Sequence, residues 1–491
     1  MSFMMRKTLR RTKIIATMGP ATNTPETVEA MIRAGVDVVR LNFSHGELED
    51  HKYRAKLVRD AAKKLGWSIA ILGDLQGPKI RMDRFIDGKV TINPGDSFIL
   101  DAKFDENAGT NERVGIAYKD LPNDVYKGDD LMLDDGRIVL EVIDVINKTE
   151  IHTTVIVGGE LSNNKGINKR GGGISAEALS EKDKEDIKYA AEIGVDFLAV
   201  SFPRNAADLV YARELLRDAG SNAAIVSKVE RAEAVEQPTL DAIIEASNVI
   251  MVARGDLGVE IGDANLPLMQ KLIIKRSRKL NRAVITATQM METMIENTIP
   301  TRAEVFDVAN AVMDGTDAVM LSGETAVGKH PAKVVAAMAD ICIEAEQSSN
   351  ARQSNHRLHK YFARVDEGIA MSAMYAANHM GVKGIGALTE SGATVLWMSR
   401  ISSGIPIYAM TTHEETCRRV NIYRGVYPVF IHEPLTNPRE ANRLVVEHLL
   451  DEKIVSKDDL VIITKGDIVG TGTDGGTNQM KVIKVGEHQD G

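Results

Sequence analysis

Two short apolar runs of this sequence end in side chains that could handle a phosphoryl group or a metal ion. Lys228 and Glu230 end one run, and Arg254-Gly255-Asp256 ends the next. Two carboxylates from adjacent strands suit Mg²⁺ or Mn²⁺, which take oxygen ligands and leave positions open for substrate oxygens. Because Lys228 lies two residues from Glu230, on the same face, its ammonium can neutralise charge on a group in transfer. A buried Lys–Glu ion pair is the structural alternative.

Similar side chains occur together earlier in the chain. Strand alternation places Arg40, Asn42 and Ser44 on one face, where a cation beside two oxygen ligands suits phosphate or metal binding. Residues 74–81, Asp-Leu-Gln-Gly-Pro-Lys-Ile-Arg, put one carboxylate and two cations around a Gly-Pro turn. A polar strand end and a structural salt-bridge cluster are the respective alternatives.

Hydroxyl and carboxylate side chains lie on or after two later runs. Thr288 lies on the predicted strand 283–289, and Ser322 with Glu324 comes after the next strand. Such groups can order water and move a proton, although hydroxyls at these positions also cap helices without any further function.

Eight nearly continuous apolar runs must position these side chains, and such runs are typical of parallel strands covered on both faces. Helical patterns separate most of them; Thr24-Pro25 begins one helix and Gly35 ends it. The pattern predicts a (β/α)₈ barrel, with a doubly wound open sheet as the competitor. Closure is favoured because the polar run ends would be costly to bury unpaired and can instead converge at one mouth. The predicted strands are 13–17, 36–43, 69–75, 196–202, 224–230, 249–256, 283–289 and 318–322.

The spacing of these runs is interrupted once, over residues 82–174. Short alternating segments with turn signals there predict a small inserted β-barrel domain that covers the mouth as a lid. The catalytic barrel would then comprise residues 1–81 and 175–346. After a polar linker at 347–359, helices and strands alternate again, which predicts an open α/β domain over residues 347–491.

Composition and charge exclude several classes of protein. The 491 residues are 44% hydrophobic and 26% charged, which excludes wholesale disorder and coiled coil. A net charge of −9 argues against nucleic acid and anionic membranes as main partners. With two cysteines and no apolar run of membrane-spanning length, we expect a cytoplasmic protein.

Several long blocks of the sequence together resemble pyruvate kinase. They are RLNFSHG, the Gly-Pro turn ending in Arg81, SKVE, ARGDLGVE, ATQMMETMI, PTRAEVFDVANAV and DGTDAVMLSGETAVGKHP. The resemblance runs from about Arg11 to Ile343 and more loosely through the C-terminal domain. The stretch GINKRGGGISAEALSEKD is similar to bacterial isoforms not governed by fructose 1,6-bisphosphate. The resemblance implies a homotetramer that converts phosphoenolpyruvate and ADP, with a proton, to pyruvate and ATP.

The resemblance also implies roles for the residues at matching positions. The phosphoryl group would be bound by Arg40 and Lys228, the divalent ion by Glu230 and Asp256, and the substrate carboxylate by the backbone around Gly255 and Asp256. Thr288 would lie beside the enolate face that is protonated, with Ser322 and Glu324 in the proton relay. The nucleotide would be bound by Asn42, His45, Arg81 and Lys165. Phosphoryl transfer is mostly positioning and electrostatic stabilisation, so one lysine, one arginine and a carboxylate-bound divalent ion are the groups it is expected to need.

The chain departs from the family at residues 75–79. Many members have Thr-Lys-Gly-Pro-Glu where this chain has Leu-Gln-Gly-Pro-Lys. In those members the glutamate accompanies a K⁺ held by the equivalents of Asn42, Ser44, Asp74 and the carbonyl at Leu75. An ammonium at Lys79 would supply the positive charge permanently and repel K⁺, so we expect activity without K⁺. The alternative is that Lys79 faces solvent and K⁺ still binds.

A second departure concerns regulation. The loop Thr389, Glu390, Ser391, Gly392 and Thr394 matches the loop that binds a sugar-phosphate activator in the family. Its hydroxyls and backbone N–H groups could cradle a phosphate, but Glu390 disfavours a bisphosphate. We therefore expect a monophosphate effector, such as AMP, ribose 5-phosphate or glucose 6-phosphate; an ordinary helix start is the alternative.

Two other functions remain open from the sequence alone. A phosphoenolpyruvate or pyruvate lyase could use the same barrel and carboxylate pair, although it would have no need of Arg81, Lys165 or the insertion. A binding protein with a decayed catalytic site is the second. Formation of pyruvate and ATP from phosphoenolpyruvate and ADP separates all three.

Overall fold

The computed structural model describes residues 9–78, 80–348, 361–432, 438–466 and 476–487. Within these ranges the strands, in chain order, are β1 (Lys13–Thr17), β2 (Val38–Asn42), β3 (Ala70–Asp74), β4 (Lys89–Ile92), β5 (Ser97–Asp101), β6 (Arg113–Gly115), β7 (Asp130–Leu133), β8 (Ile138–Ile146), β9 (Glu150–Val157), β10 (Gly159–Ser162), β11 (Ile167–Lys169), β12 (Phe197–Val200), β13 (Ala224–Val229), β14 (Val249–Ala253), β15 (Ala283–Ala287), β16 (Ala318–Leu321), β17 (Gly384–Leu388), β18 (Ile407–Thr411), β19 (Val426–Phe430), β20 (Leu460–Gly466) and β21 (Thr477–Lys484).

The α-helices connect these strands. In chain order they are α1 (Pro25–Ala34), α2 (Leu48–Leu65), α3 (Leu121–Asp124), α4 (Glu181–Ile193), α5 (Ala206–Asp218), α6 (Thr239–Ala246), α7 (Arg254–Ile261), α8 (Leu266–Lys279), α9 (Arg302–Asp314), α10 (Gly323–Ala326), α11 (Pro331–Ala345), α12 (Val365–His379), α13 (Ala393–Ser399), α14 (Glu414–Val420) and α15 (Pro438–Asp451). As predicted, α1 begins at Pro25 after its cap Thr24, and Gly35 ends it.

Eight parallel strands close into the predicted barrel, in the order β1-β16-β15-β14-β13-β12-β3-β2. Each strand is apolar along its whole length because both of its faces are buried. Ile15 and Leu72 point into the barrel and belong to its inner core. Their neighbours Ile14 and Ile71 belong to the outer core, between strands and helices. The closed barrel brings the carboxyl ends of all eight strands to one mouth.

The insertion between β3 and β12 forms a separate sheet domain. It contains a six-stranded sheet of order β11-β7-β8-β9-β5-β6 and a two-stranded sheet of β10 and β4. The pairs are antiparallel except for β5 with β6, which run parallel. Phe98, Leu100 and Leu131 lie in a core of its own. The boundaries at residues 82 and 174 remain predictions.

The C-terminal residues form an open five-stranded sheet of order β19-β18-β17-β20-β21, flanked by helices. Only β21 runs antiparallel to its neighbour. The predicted linker at 347–359 lies, from residue 349 onward, outside the described residues. Among the residues that are described, no helix is both long and apolar enough to cross a membrane.

The C-terminal sheet domain is attached to the barrel at the end opposite the mouth. Arg400, just after α13, forms a bidentate ion pair with Asp317, just before β16, and both side chains are 1% exposed. Asn421 donates Nδ2–H bonds to the carbonyl oxygens of Asp37 at 2.9 Å and Ser68 at 2.6 Å. These contacts hold the domain against the barrel floor through buried polar groups.

Candidate active site

Lys228 lies at the centre of the barrel mouth. Its Nζ donates to Ser201 Oγ at 2.7 Å and lies 3.0 Å from Glu230 Oε1 and 3.4 Å from Asp74 Oδ1. Burial by itself lowers the pKa of Lys228, but the two carboxylates outweigh burial and raise that pKa above its ordinary value. Lys228 is therefore a partly buried, permanently charged ammonium at the end of β13, with its side chain 13% exposed.

Asp74 joins Lys228 to the second cation of the mouth. Arg40 donates Nε–H to Asp74 Oδ2 at 2.6 Å and Nη1–H to Thr17 Oγ1 at 3.2 Å. Burial alone raises the pKa of Asp74, but Lys228 and Arg40 outweigh it, so that the pKa is lowered and the carboxylate stays ionised. Three strand ends thus bring two cations to one carboxylate, whereas the sequence predicts the cations of residues 79–81 as the neighbours of that carboxylate.

Glu230 and Asp256 are the two predicted metal ligands. Glu230 is 1% exposed and accepts from the Phe202 N–H at 2.9 Å. Burial raises the pKa of Glu230 to about 7, and repulsion by the Asp256 carboxylate adds to that rise. Two carboxylates that repel each other can both bind one hard divalent cation, because such cations take oxygen ligands. No group of three or more His, Cys, Asp or Glu side chains that could hold a metal occurs in the described part of the chain, so further ligands would come from substrate or water.

Asp256 does not lie on a strand, which corrects the predicted strand at 249–256. The strand β14 ends at Ala253, and Arg254 begins α7, so Asp256 is in the first turn of a helix. The helix starts there because Arg254 is held in place: its Nη1 and Nη2 donate to Asp307 at 2.6 and 2.8 Å, and Nη2 to Thr288 O at 2.6 Å. No role is predicted for Arg254 from the sequence.

Thr288 meets the start of α7. Its Oγ1 accepts from the Gly255 N–H at 2.9 Å and donates to Ala287 O at 2.7 Å. Thr288, Gln289 and Met291 all have positive φ, of 63°, 55° and 57°. Non-glycine residues in this region are strained, and such residues concentrate at functional sites. The predicted strand 283–289 is therefore too long: β15 ends at Ala287, and Thr288 lies in the turn after it, in direct contact with Gly255.

Ser322 and Glu324 follow β16, as predicted, but their side chains do not bond to each other. Glu324 Oε2 instead accepts from the backbone N–H of Ser322 at 2.5 Å. Ser322 Oγ is buried and has no hydrogen-bond partner in the described residues. Glu324 is 2% exposed, and burial raises the pKa of its carboxyl to about 7. A carboxyl with that pKa can hold and release a proton near neutral pH.

Arg81 and Lys165 come together where the sheet domain joins the barrel. Arg81 pairs with Gly166 across an antiparallel bridge, and its Nη1 donates to Asn164 O at 2.8 Å. Lys165 Nζ lies 2.6 Å from Asp134 Oδ1. The two predicted nucleotide cations are therefore neighbours on the two chain segments that link the domains.

The other nucleotide candidates and the K⁺ position lie near the ends of β2 and β3. The His45 N–H donates to Asn42 O at 3.3 Å, and the Ser44 N–H donates to Asn42 Oδ1 at 3.2 Å. Leu75 O accepts from Ser201 Oγ at 2.7 Å. Lys79 lies outside the described residues.

Ser201 belongs to this site, although the sequence analysis did not select it. It links Lys228 to the backbone at Leu75, since its hydroxyl accepts from the lysine and donates to the carbonyl. The available signal was a serine at the end of an apolar run, the same signal that singled out Ser322. Burial of Ser201 is complete, at 0% exposed.

The candidate effector loop precedes α13, and its hydroxyls are partly engaged. Thr389 Oγ1 accepts from the Gly392 N–H at 3.0 Å, and Gly392 has φ +84°, a conformation that favours glycine. Thr394 Oγ1 lies 2.8 Å from Thr477 Oγ1. Ser391 is exposed. The loop is therefore ordered by its own threonines, with Ser391 directed to solvent.

Comparison with known proteins agrees with this geometry. Residues 9–335 match the family model of the pyruvate kinase barrel domain, and residues 367–483 match that of the pyruvate kinase alpha/beta domain. Pyruvate kinase II of Salmonella typhimurium is 58% identical over 483 residues, 98% of this chain and 100% of that protein. Pyruvate kinase of Haemophilus influenzae is 58% identical over 464 residues, 94% of this chain and 97% of its own. That of Staphylococcus aureus is 40% identical over 481 residues, 98% of this chain and 81% of its own. The barrel mouth, the two matched domains and the extent of these likenesses show that this phosphotransferase belongs to the pyruvate kinase family.

Proposed function

We propose that the phosphoryl group passes from phosphoenolpyruvate to ADP beside Lys228, in the last step of glycolysis. The observation that supports this most directly is the contact of the Lys228 ammonium with Ser201, Glu230 and Asp74 at the barrel mouth. A coupled assay for pyruvate and ATP from phosphoenolpyruvate and ADP tests it. Consumption of phosphoenolpyruvate without conversion of ADP to ATP would support a lyase instead, and binding without turnover would support a decayed site.

Arg40 and Lys228 bind and orient the phosphoryl group in this proposal. Phosphoryl transfer is chiefly positioning and electrostatic stabilisation, so two fixed cations contribute directly to the rate. Glu230 and Asp256 would hold Mg²⁺ or Mn²⁺, which when bound neutralises charge on phosphoryl and enolate oxygens. The first turn of α7 at Gly255 receives the substrate carboxylate, as a helix N-terminus can.

The second half of the reaction is protonation of enolpyruvate. We place Thr288 beside the carbon that is protonated, with Ser322 and Glu324 supplying the proton through ordered water. The buried Glu324 carboxyl, with a pKa raised to about 7, and the unpartnered Ser322 hydroxyl support that role. Movement of the sheet domain over the mouth would exclude water and protect the phosphoryl group from hydrolysis.

The nucleotide would lie between the barrel and the sheet domain. Arg81 and Lys165 are the cations for its phosphates, and Asn42 and His45 complete the set from the end of β2. Closure of the sheet domain would carry Arg81 and Lys165 toward Asn42 and His45. The position of Arg81 and Lys165 at the junction of the domains supports this assignment.

The next proposal is that the enzyme is active without K⁺. We propose that the Lys79 ammonium takes the place of K⁺ near Asp74, whose carboxylate already contacts the cations Lys228 and Arg40. A third positive charge held covalently would make a free ion unnecessary and would repel it. We expect nearly full activity in tetramethylammonium buffer, with little further gain on adding K⁺.

Lys79→Glu is the matched variant for this prediction. It should create a partial dependence on K⁺, although Leu75 and Gln76 could also need exchange for full conversion. Loss of most wild-type activity in the absence of K⁺ would contradict the proposal.

The effector is proposed to be a monophosphate. Glu390 Oε2 lies 2.5 Å from His413 Nε2, and the Glu390 carbonyl accepts from Thr416 Oγ1 at 2.6 Å. These bonds hold a carboxylate at the loop, where it repels the second phosphate of a bisphosphate. The test is titration with AMP, ribose 5-phosphate, glucose 6-phosphate and fructose 1,6-bisphosphate at subsaturating phosphoenolpyruvate. At least one of the three monophosphates should activate the enzyme, and fructose 1,6-bisphosphate should not.

Glu390→Gln is the control for the charge argument. It should extend activation to fructose 1,6-bisphosphate while the monophosphate response persists. If none of the compounds shifts the activity, the loop is an ordinary helix start.

We further propose, from likeness to the family, that the enzyme is a homotetramer in the cytoplasm.

A further inference from the structure

One buried glutamate, to which the resemblance assigns no role, connects the segments that carry Glu230 and Asp256. Glu260 lies on α7 one turn after Asp256 and is 5% exposed. Its Oε2 accepts a hydrogen bond from the backbone N–H of Ala232 at 2.7 Å. Ala232 follows Glu230 by two residues. A single side chain thus ties the helix that carries one carboxylate to the loop that carries the other.

The sheet domain is attached at the same place. The Asn168 side chain, on β11, hydrogen-bonds to the Glu260 carboxyl, and the Gly171 N–H donates to Glu260 O at 3.0 Å. Arg231, next to Ala232, donates Nη1–H to Ile174 O at 2.7 Å. The chain segment that returns from the sheet domain therefore packs against Glu260 on a third side.

Burial of this carboxyl is costly unless its bonds are maintained. Charged groups near it are Glu233, which repels it, and Arg231, which attracts it. Asp256, Glu260 and Arg231 line one small cavity, together with Asn168 and Phe202. A buried acidic group in such a place stabilises one arrangement of the surrounding segments, because its hydrogen bonds are lost when they separate.

We propose that Glu260 is a positioning residue: by holding the Ala232 N–H, it sets the separation of the Glu230 and Asp256 carboxylates. This inference rests on the proposed role of those carboxylates as ligands of the divalent ion. Groups that orient metal ligands typically contribute about 10- to 100-fold to metal affinity. The bond from Asn168, by contrast, joins the sheet domain and does not set the separation.

Direct binding of Mn²⁺ tests the proposal without relying on activity. Free Mn²⁺ is measured by electron paramagnetic resonance in the absence of substrates. Glu260→Ala and Glu260→Asp should weaken binding about tenfold, because aspartate is shorter by one carbon–carbon bond, about 1.5 Å. Glu260→Gln should keep most of the affinity, since its amide oxygen can accept from Ala232. Asn168→Ala, the matched control, should bind Mn²⁺ as the wild type does.

The outcomes separate this inference from the metal site itself. If Glu230→Gln leaves Mn²⁺ binding unchanged, the proposed metal site is wrong. If Glu230→Gln weakens binding but Glu260→Asp binds like the wild type, only the role of Glu260 is overturned. Should Glu260→Ala fail to fold by circular dichroism, the comparison of Glu260→Asp with Glu260→Gln decides. A positioning role also predicts that saturating Mn²⁺ restores most of kcat in Glu260→Asp, which a general loss of structure would not.

Discussion

Lys228→Met should lower kcat for the overall reaction by about 10³-fold, in line with the loss of a cation that stabilises a transferring phosphoryl group. Methionine is about as long as lysine but carries no charge. The fold should persist because Asp74 keeps its bond from Arg40 and because Glu230, whose pKa burial raises to about 7, can take up a proton. The measurement is the coupled assay at saturating phosphoenolpyruvate, ADP and Mg²⁺.

Exchange of the methyl protons of pyruvate with deuterated solvent distinguishes the two half-reactions. Lys228→Met should retain this exchange better than it retains phosphoryl transfer, because in the proposed mechanism the proton is handled by Thr288, Ser322 and Glu324. Glu324→Gln should show the opposite pattern, since it removes the proton-holding carboxyl and leaves both cations in place. Phosphoryl transfer by Lys228→Met at the wild-type rate would refute the central role of this residue.

Of the substitutions proposed for this protein, Asp317→Ala should lower the free energy of unfolding the most. Its carboxylate accepts from both Nη groups of Arg400, from the Val284 N–H at 2.9 Å and from the Arg424 N–H at 3.0 Å. Removing one partner of a buried ion pair leaves the other charged and unpaired, which typically costs about 3–5 kcal/mol. We expect a Tm several degrees lower than that of the wild type, measured at one fixed scan rate.

A surface ion pair provides the matched comparison. Lys56 and Asp60 lie 2.5 Å apart on α2, with side chains 74% and 62% exposed. Asp60→Ala removes the same chemical group but should hardly change the Tm, because solvent screens exposed pairs. Equal Tm values for the two variants would contradict the view that Asp317 anchors the C-terminal domain to the barrel.

Much of the barrel could be predicted because its strands are buried on both faces. A nearly continuous apolar run such as 69–75 has few other stable structures in a chain of this composition, and β3 lies within it. The ends of the strands depend on contacts that the local sequence does not show. Asp256 follows an apolar run in sequence, but the run passes directly into α7 at Arg254. Nothing local marks that change, because Arg254 is held by Asp307, which lies 53 residues later.

The missed residues share one property, which is that their partners are distant in sequence. Ser201 is one serine among many until β12 places it beside Lys228 and Leu75. Glu260 has the spacing of an ordinary helix face, and only the fold brings it to Ala232. The position of Ser201 after β12 is visible in the sequence, but its contact with Lys228 depends on packing between segments, as does the contact of Glu260 with Ala232.

The most direct test of the account is a crystal structure with oxalate, Mg²⁺ and ATP. Oxalate is a stable stand-in for enolpyruvate. We predict the cation within about 2.0–2.1 Å of carboxylate oxygens of both Glu230 and Asp256, with Lys228 Nζ hydrogen-bonded to the oxalate or to the nearest phosphate. A cation bound away from these two carboxylates, or a Lys228 side chain that contacts neither ligand, would contradict it.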